Sequence, residues 1–345
     1  MAQPKVSVLW VNYNGMHIRE ILLKSLQAID CLNYENYELI AVDNGSNDGS
    51  YQLLRDQFEM MHCERRLIRL DRNLGFTGGN NIAYRASSPE TKYVLLVNSD
   101  AVAYPDSLRE IVERMEQDSA VGAAQGITVD YSTGTVDTAG EMVDEVLEVH
   151  SLFNGSPPSS VKSTMHITYA NGAFVVYRVS SVRAAQGDRL FDEIFAYYDD
   201  NLLGLKLWNR GFKSFSFPVL AARHRRSSSF KRYSKAMIYL TIRNCLFLNE
   251  ITNSRYRKLN RIFPLKFVLK RIRGNPFETF SISVKAARDG VLMGTKASSE
   301  EGMLDLYRAP IVRLEPSLAL MRLALPGKLT KNLLERRIKE TINIV

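Results

Sequence analysis

Asp100 closes the stretch Tyr93-Val94-Leu95-Leu96-Val97-Asn98-Ser99-Asp100, an apolar run of strand length that ends in polar residues. Open α/β sheets carry their chemistry just past such buried strands. Pro105 and Asp106 predict that the next helix starts near residue 105, because proline suits the first helical position and an acid favours the first turn. Asp100 is therefore too early to cap that helix. Two roles remain for it. It is either a loop carboxylate bonding its own turn, or a ligand that holds a divalent cation against a nucleotide diphosphate, whose phosphates supply most of the oxygens a hard cation needs.

Asp43 ends the apolar run Leu39-Ile40-Ala41-Val42 and reads as a ligand, whereas Asp48 precedes the next helix and reads as its cap. The segment Asn73-Leu74-Gly75-Phe76-Thr77-Gly78-Gly79-Asn80-Asn81 sets three glycines among asparagines. That pattern allows close backbone approach and free amides at a helix start, which suits a phosphate or a sugar; a plain turn uses the same residues. Gly172, in Asn171-Gly172-Ala173, interrupts a strand-like run from Ile167 to Tyr177 and predicts close approach by a ligand. Asp199 and Asp200 follow Ile194-Phe195-Ala196-Tyr197-Tyr198 and open a helix through Leu202, Leu203, Leu205, Leu207 and Trp208 that stops at Gly211. These two acids either complement that helix start or act on a substrate. His224, inside Arg223 to Ser229, reads locally as a loop residue.

The elements that would position these residues follow from apolar periodicity. Val6 to Val11 reads as a buried first strand with its turn at Asn12-Tyr13-Asn14-Gly15, and Ile18, Ile21, Leu22, Leu26 and Ile29 form the stripe of the first helix. A third strand is predicted at Leu67 to Leu70. Alternation of strand and helix through residue 122 implies an α/β fold with a mostly parallel central sheet flanked by helices. After Val121 the texture changes to strand or hairpin pieces at Gly126 to Asp130 and Thr135 to Val149, then a Ser- and Pro-rich stretch over 154–163, which reads as an insertion and not a linker. A strand over Ser214 to Val219 precedes helices predicted at 233–250, 255–273, 277–294 and roughly 328–341.

With 345 residues and 45% hydrophobic content, the chain is long enough for one large domain and an appendage. Its charge is uneven: residues 1–222 hold 19 Lys and Arg against 28 Asp and Glu, residues 223–273 hold 15 against 1, and the remainder 11 against 8. An acidic body followed by a concentrated basic segment suggests two tasks, one of them at an anionic surface. Cys31, Cys63 and Cys245 have neither zinc nor disulfide spacing, which favours a reducing, cytosolic compartment. No apolar run approaches the ~18 residues that span a bilayer, so the chain reads as not transmembrane. A nicotinamide-dependent dehydrogenase would need GxGxxG after the first strand, which Asn12-Tyr13-Asn14-Gly15 does not supply. A nucleic-acid-binding protein would explain the basic segment but leave the acidic stretches without a task.

In their order these residues resemble the inverting, nucleotide-sugar-dependent glycosyltransferases of family two, with the GT-A fold, and among them the rhamnosyltransferase-like branch. The likeness rests on Val11-Asn12-Tyr13-Asn14-Gly15, Val42-Asp43-Asn44-Gly45-Ser46, Asn73 to Asn81, Asn98-Ser99-Asp100, Asn171-Gly172-Ala173, Asp199-Asp200 and His224, and spans about residues 5–250. It implies a GT-A nucleotide-sugar-binding domain over residues 1–232, with a donor half to about 120 and an acceptor half beyond, and then a helical, basic region over 233–345. Donor-binding roles are implied for Asn12, Tyr13, Asn14, Asp43 and Asn44 at the base and ribose. They are likewise implied for Asn73, Gly75, Gly78, Gly79 and Asn80 near the ribose and diphosphate, and for Asn98 and Asp100 at the metal. Asn171, Gly172 and Ala173 fall on the acceptor and sugar side. Asp200 matches the general base, with Asp199 as the alternative, and Asp100 and His224 fall where the family keeps a divalent cation, Mg²⁺ or Mn²⁺.

Two departures stand out: Asn98 replaces the first acid of the metal signature, and Leu202 stands where a further acid is common. The implied reaction moves a sugar from a nucleotide-diphosphate sugar to an acceptor hydroxyl with inversion, on a lipid-linked or polysaccharide glycan. A cation neutralises the leaving diphosphate, and a carboxylate takes the acceptor proton. A weak or inactive sugar-binding relative is the alternative that Asn98 keeps open. Arg243 could reach the diphosphate or simply face solvent. The basic segment over 223–273, interleaved with Ile262, Phe263, Leu265, Phe267, Val268, Leu269 and Ile272, predicts peripheral attachment to an anionic membrane surface at the cytoplasmic face, with no nucleic acid bound.

Overall fold

The apolar run Val6–Asn12 forms strand β1 in the computed structural model, which describes residues 3–226, 234–262, 264, 276–324, 334, 337–338 and 340–342. β1 pairs in parallel with β2 (Tyr37–Asp43) on one side and β4 (Tyr93–Asn98) on the other. All three are buried along their length, as strands covered on both faces must be. β3 (Glu64–Arg69) closes this edge in parallel with β2. It starts earlier than Leu67 because Glu64, Arg65 and Arg66 are exposed and give no apolar signal. α1 (Arg19–Asp30), α2 (Ser50–Met60) and α3 (Gly75–Arg85) connect these strands. Asp100 is followed by a short strand β5 (Ala101–Ala103), and α4 (Ser107–Gln117) begins only at Ser107. Pro105 stays outside it, and Asp106 at its N-cap is engaged by Asn33 and Arg109 instead of the helix amides.

The other half of the sheet is mixed. It holds β6 (Val121–Asp130), β7 (Val136–Thr138), β10 (Met165–His166), β11 (Phe174–Arg178) and β12 (Lys213–His224), with β8 (Glu141–Asp144) and β9 (Val149–Ser151) intervening in the chain. α5 (Val179–Gln186) and α6 (Asp199–Asn209) lie between β11 and β12. The strand order is β10-β12-β6-β11-β4-β1-β2-β3, with β5 against β12 and β7 against β6. β11 is antiparallel to both β4 and β6, so the continuous parallel part runs from β4 to β3.

Two sequence expectations change here. Of the strand predicted from Ile167 to Tyr177, Phe174 to Tyr177 belong to β11, whereas β10 ends at His166 and residues 167–173 between them run irregularly into a turn. β12 passes Val219 and continues to His224, because the register irregularity between Ser216 and Leu220 accommodates Pro218 and the strand then pairs with β5. The largest buried side chains, Trp10, Tyr93, Tyr177 and Phe174, sit on β1, β4 and β11, so the core lies along the middle of the sheet.

The described residues fall into two compact units, 3–141 with 151–226, and 142–150 with those between 234 and 342. The second contains α7 (Lys235–Ile251), α8 (Arg257–Asn260), α9 (Pro276–Glu301), α10 (Pro316–Ala324) and β13 (Ile311–Val312), which pairs with β8. Arginines of the basic segment answer buried acids here: Arg257 and Arg261 pair with Glu250 at 2.8 and 3.0 Å, and Arg255 with Glu145 at 2.8 Å. Of the helix predicted over 255–273, α8 is the described part; Phe263 and residues 265–275, with Lys266, Lys270, Arg271 and Arg273, lie outside the described residues, as does most of 328–341. Arg243 lies in α7 with its guanidinium 5.5 Å from the centre of the Tyr239 ring and its Nε donating to Asn244.

Candidate active site

The turn after β1 and the loop after β2 are tied together by side chains. Asn12 is fully buried, and its Nδ2 reaches Asp43 Oδ2 (2.9 Å), Ser46 Oγ (3.2 Å) and Ser50 Oγ (2.9 Å). Asp43 also accepts the Ser46 N–H, and Asn14, in the left-handed region, accepts the Asn47 N–H through its side chain. Asp48 accepts both Ser50 N–H and Met16 N–H, so it links the two loops as well as opening α2, whose N-cap is Gly49. Tyr13 is half-buried beside this knot.

The asparagine–glycine segment begins α3, and each glycine faces protein where an open cradle was expected. A Cβ on Gly79 would lie 2.9 Å from Val11, and one on Gly78 would lie 2.6 Å from Leu74. Gly75, at φ +77°, abuts the carbonyl of Phe195. Asn44 bridges this region by donating to Asn73 Oδ1 and Gly75 O while accepting Leu74 N–H. Asn80 donates to Phe76 O. Asn81 accepts the N–H groups of Leu190 and Phe191, and Thr77 exchanges two bonds with Phe195. α3 therefore clamps the segment that precedes the two acids. That segment is strained, for Phe195, Tyr197 and Tyr198 all have positive φ (72°, 70° and 65°), a conformation bulky residues rarely hold unless their surroundings impose it.

Asp199 and Asp200 occupy the first turn of α6. Burial, reinforced by the charge of Asp200, raises the Asp199 pKa well above the carboxylate range. Asp200 is half-buried, and its Oδ2 accepts the Gly172 N–H at 2.8 Å. The turn holding Gly172 is fixed in its own right: Asn171 N–H donates to Gln125 Oε1, Asn171 Oδ1 accepts Ala173 N–H, and Asn171 Nδ2 donates to Glu141 Oε1 at 3.0 Å. Glu141 is buried, which pushes its pKa up to about 7 against hydrogen bonds from Ser151, Thr138 and Asn171. Nothing in the sequence around Glu141 marked it. Leu202 is simply core.

Asp100 and His224 come together although 124 positions separate them in the chain, because β12 brings His224 opposite Ala101 of β5. His224 Nε2 lies 3.3 Å from Asp100 Oδ1 and its Nδ1 lies 2.8 Å from Asp137 Oδ2. Asp137, on β7, was not anticipated; it also pairs with Arg226. Burial alone would lower the pKa of His224, but the two carboxylates outweigh it and push the imidazole up to about 9. Asn98 N–H donates to Ala173 O at 3.1 Å, so the turn that ends at Asp100 lies directly beside the turn that holds Asp200.

The family model described as Glycosyl transferase family 2 matches residues 7–184, just over half of the chain. The chain belongs to glycosyl transferase family 2. Solved structures of GT-A glycosyltransferases share its fold. One is GalNAc-T7, with UDP, GalNAc and Mn²⁺ (TM-score 0.60, 12% identity, 86% of this chain), of which the family 2 chain spans 58%. Others are S. aureus TarS 1–349 (0.51, 14%, 87% of this chain and 83% of that one) and the mannosyltransferase PcManGT from Pyrobaculum calidifontis with GDP-Man and Mn²⁺ (0.51, 16%, 99% and 84%). No curated protein matches significantly by sequence. The mixed α/β sheet with its flanking helices is thus the GT-A fold that the sequence motifs implied.

Proposed function

We propose that this family 2 protein transfers a sugar from a nucleotide-diphosphate sugar to an acceptor hydroxyl, with inversion, and that the acceptor is a lipid-linked or polysaccharide glycan. One observation supports this above the others: the Asn98 to Ala173 hydrogen bond sets the Asp100 turn, suited to a diphosphate, beside the Asp200 turn, suited to a hydroxyl. The loops around Asn12, Asp43 and Asn44 carry the nucleotide, with Tyr13 against its base.

No group of three or more His, Cys, Asp or Glu among the described residues could hold a metal ion. The pair Asp100 and His224 nonetheless fits a divalent cation that draws its other ligands from phosphate and water, and Asp137 fixes the imidazole through its second nitrogen as such sites require. Bound there, Mg²⁺ or Mn²⁺ neutralises the leaving diphosphate as a Lewis acid. Asp200, held by Gly172 N–H, takes the acceptor proton as the hydroxyl attacks the anomeric carbon from the face opposite the diphosphate. Asp199 is the more deeply buried of the two, and burial favours its protonated form, which leaves that task to its neighbour. Asn171, Gly172 and Ala173 line the sugar and acceptor side. The basic segment over 223–273 keeps the enzyme at the inner face of the cell membrane as a peripheral protein.

The test is a panel of nucleotide sugars assayed with Mg²⁺ and Mn²⁺, followed by Asp200→Asn and Asp199→Asn on the best donor. Asp200→Asn should lower turnover by about 10²–10⁴-fold with donor affinity retained, and Asp199→Asn should do less. No turnover of any donor, with nucleotide sugars still bound, would make the chain a binding relative, and the reverse ranking of the variants would move the base to Asp199.

A further inference from the structure

The longest described helix, α9, has a face that nothing above uses. Its inner face is a run of small residues: Thr279, Ser283 and Ala286 are buried, and Gly290 and Gly294 meet α7 so closely that a Cβ would strike Arg243 O or the Glu250 side chain and Phe247 O. Close packing on that side fixes which residues point away. Those are Phe277 (86% exposed), Phe280 (52%), Val284 (51%) and Leu292 (58%), with exposed Met293 beside them. Four large apolar side chains at positions i, i+3, i+7 and i+15 share one side of a 3.6-residue helix. Scattered exposed hydrophobes need no explanation, but a contiguous stripe does.

The charges are sorted in the same sense. Arg288 is exposed on the stripe and Lys285 is exposed at its edge, with its Nζ 5.9 Å from the centre of the Tyr239 ring of α7, while the two acids between residues 277 and 296 are both engaged: Glu278 pairs with Lys235 at the surface, and Asp289 accepts the Tyr239 O–H at 2.6 Å. The outer face over these residues therefore offers apolar groups and cations, and Glu278 at its margin is a carboxylate already paired with a lysine. In sequence it is preceded directly by Lys266, Lys270, Arg271 and Arg273, all within eleven residues of Phe277 and so within ~40 Å of it at full chain extension. No described helix is long and apolar enough to cross a membrane. Apolar groups rimmed by cations on a helix that cannot span are the composition of an interfacial helix.

We infer that the outer face of α9 inserts into an anionic phospholipid surface, with Phe277 and Phe280 entering the acyl boundary and Lys285 and Arg288 at the headgroups. This deepens the membrane reading proposed above but rests on different residues, and its test separates the two. The full chain is sedimented with vesicles of equimolar phosphatidylglycerol and phosphatidylcholine, and with phosphatidylcholine alone. The parent should bind the anionic vesicles more strongly. Phe277→Ser with Phe280→Ser should weaken that binding by up to about a hundredfold, since each phenyl ring withdrawn from lipid forfeits roughly a factor of ten in partition. Both positions are exposed, so the melting temperature and donor turnover in solution should stay unchanged. Lys285→Glu with Arg288→Glu should weaken binding at low salt and less at high salt. Equal binding by the double serine variant and the parent would overturn the inference. If only replacing Lys266, Lys270, Arg271 and Arg273 with Glu abolished binding, α9 would be excluded while the membrane reading stood; absence of binding by the parent would remove both. A parent that is dimeric by light scattering and becomes monomeric on the serine changes would assign the face to a second copy, and would overturn the inference too.

Discussion

Gly172→Ala tests the base role proposed for Asp200 separately from donor binding. The change leaves the Gly172 N–H in place, and Gly172 does not have positive φ, so alanine can adopt its backbone. The new methyl would lie 3.2 and 3.3 Å from the two carboxylate oxygens of Asp200 and 3.3 Å from Leu96 Cδ2, tighter than ordinary contact, and the softest response is for the carboxylate to move by about 0.3 Å. If a misplacement of ~1 Å at a reacting group costs about 10²-fold, ~0.3 Å costs about fourfold, and a range of roughly 3–10-fold covers uncertainty in the shift. The loss should appear in the rate of the transfer step under single-turnover conditions, with nucleotide affinity by calorimetry unaltered. Stability should hold or rise by about 0.4–1 kcal/mol, because alanine restricts the unfolded chain more than glycine does. An unchanged transfer rate would refute the reasoning, since an acid that only complements the α6 N-terminus would not register a small displacement. So would a loss confined to nucleotide affinity.

Two predictions concern the titrating groups. His224, protonated up to about pH 9 in the metal-free protein, must lose that proton to ligate, so Mn²⁺ binding at pH 7 should release about one proton and tighten as pH rises toward 9; calorimetry in buffers of different ionisation enthalpy reads this directly. Asp137→Asn should weaken Mn²⁺ by about 10–100-fold through loss of imidazole orientation, and unaltered affinity would remove Asp137 from the site. The same pairing makes a stability contribution in the metal-free protein that is complete below pH ~6.5 and is lost as pH rises through about 9. Glu141 has the opposite sense for an acid: its folded pKa, about 7, exceeds the ordinary 4.5, so folding takes up a proton between those values and stability falls as pH rises through that window. The full effect is at most about 3 kcal/mol. Glu141→Gln should flatten the fall in denaturant melts at pH 5 and pH 8, and an identical slope in variant and parent would show that Glu141 stays ionised.

The parts of the molecule that the sequence made legible are those whose signal is local. β1, β2 and β4 are continuous apolar runs because both faces are covered, and the polar residues that follow the runs of β2 and β4 are how Asp43 and Asp100 were singled out as candidates. What escaped depends on pairing between distant segments. Asp137 reaches His224 across 87 residues, Glu141 reaches Asn171 across 30, and β12 continues past Pro218 because β5 supplies a partner that a one-dimensional pattern does not show. The glycines of α3 show the difference most plainly. Composition says that something approaches them closely, and a phosphate was the reasonable guess; only the fold shows that Phe195 abuts Gly75 and that Val11 and Asn44 abut Gly79. This gives α3 a task that links the two halves of the site. Through Gly79 and Asn44 it is fixed to the ends of β1 and β2, and through Gly75, Thr77 and Asn81 it holds the strained segment leading to Asp200, 118 residues away from Thr77 at Phe195. Three bulky residues with positive φ would relax if that clamp were lost, at a cost to the clamp of order 1–3 kcal/mol for each conformation it imposes. The asparagine–glycine segment thus orders the chain leading to Asp199 and Asp200 by packing, from a position the sequence had assigned to ligand contact.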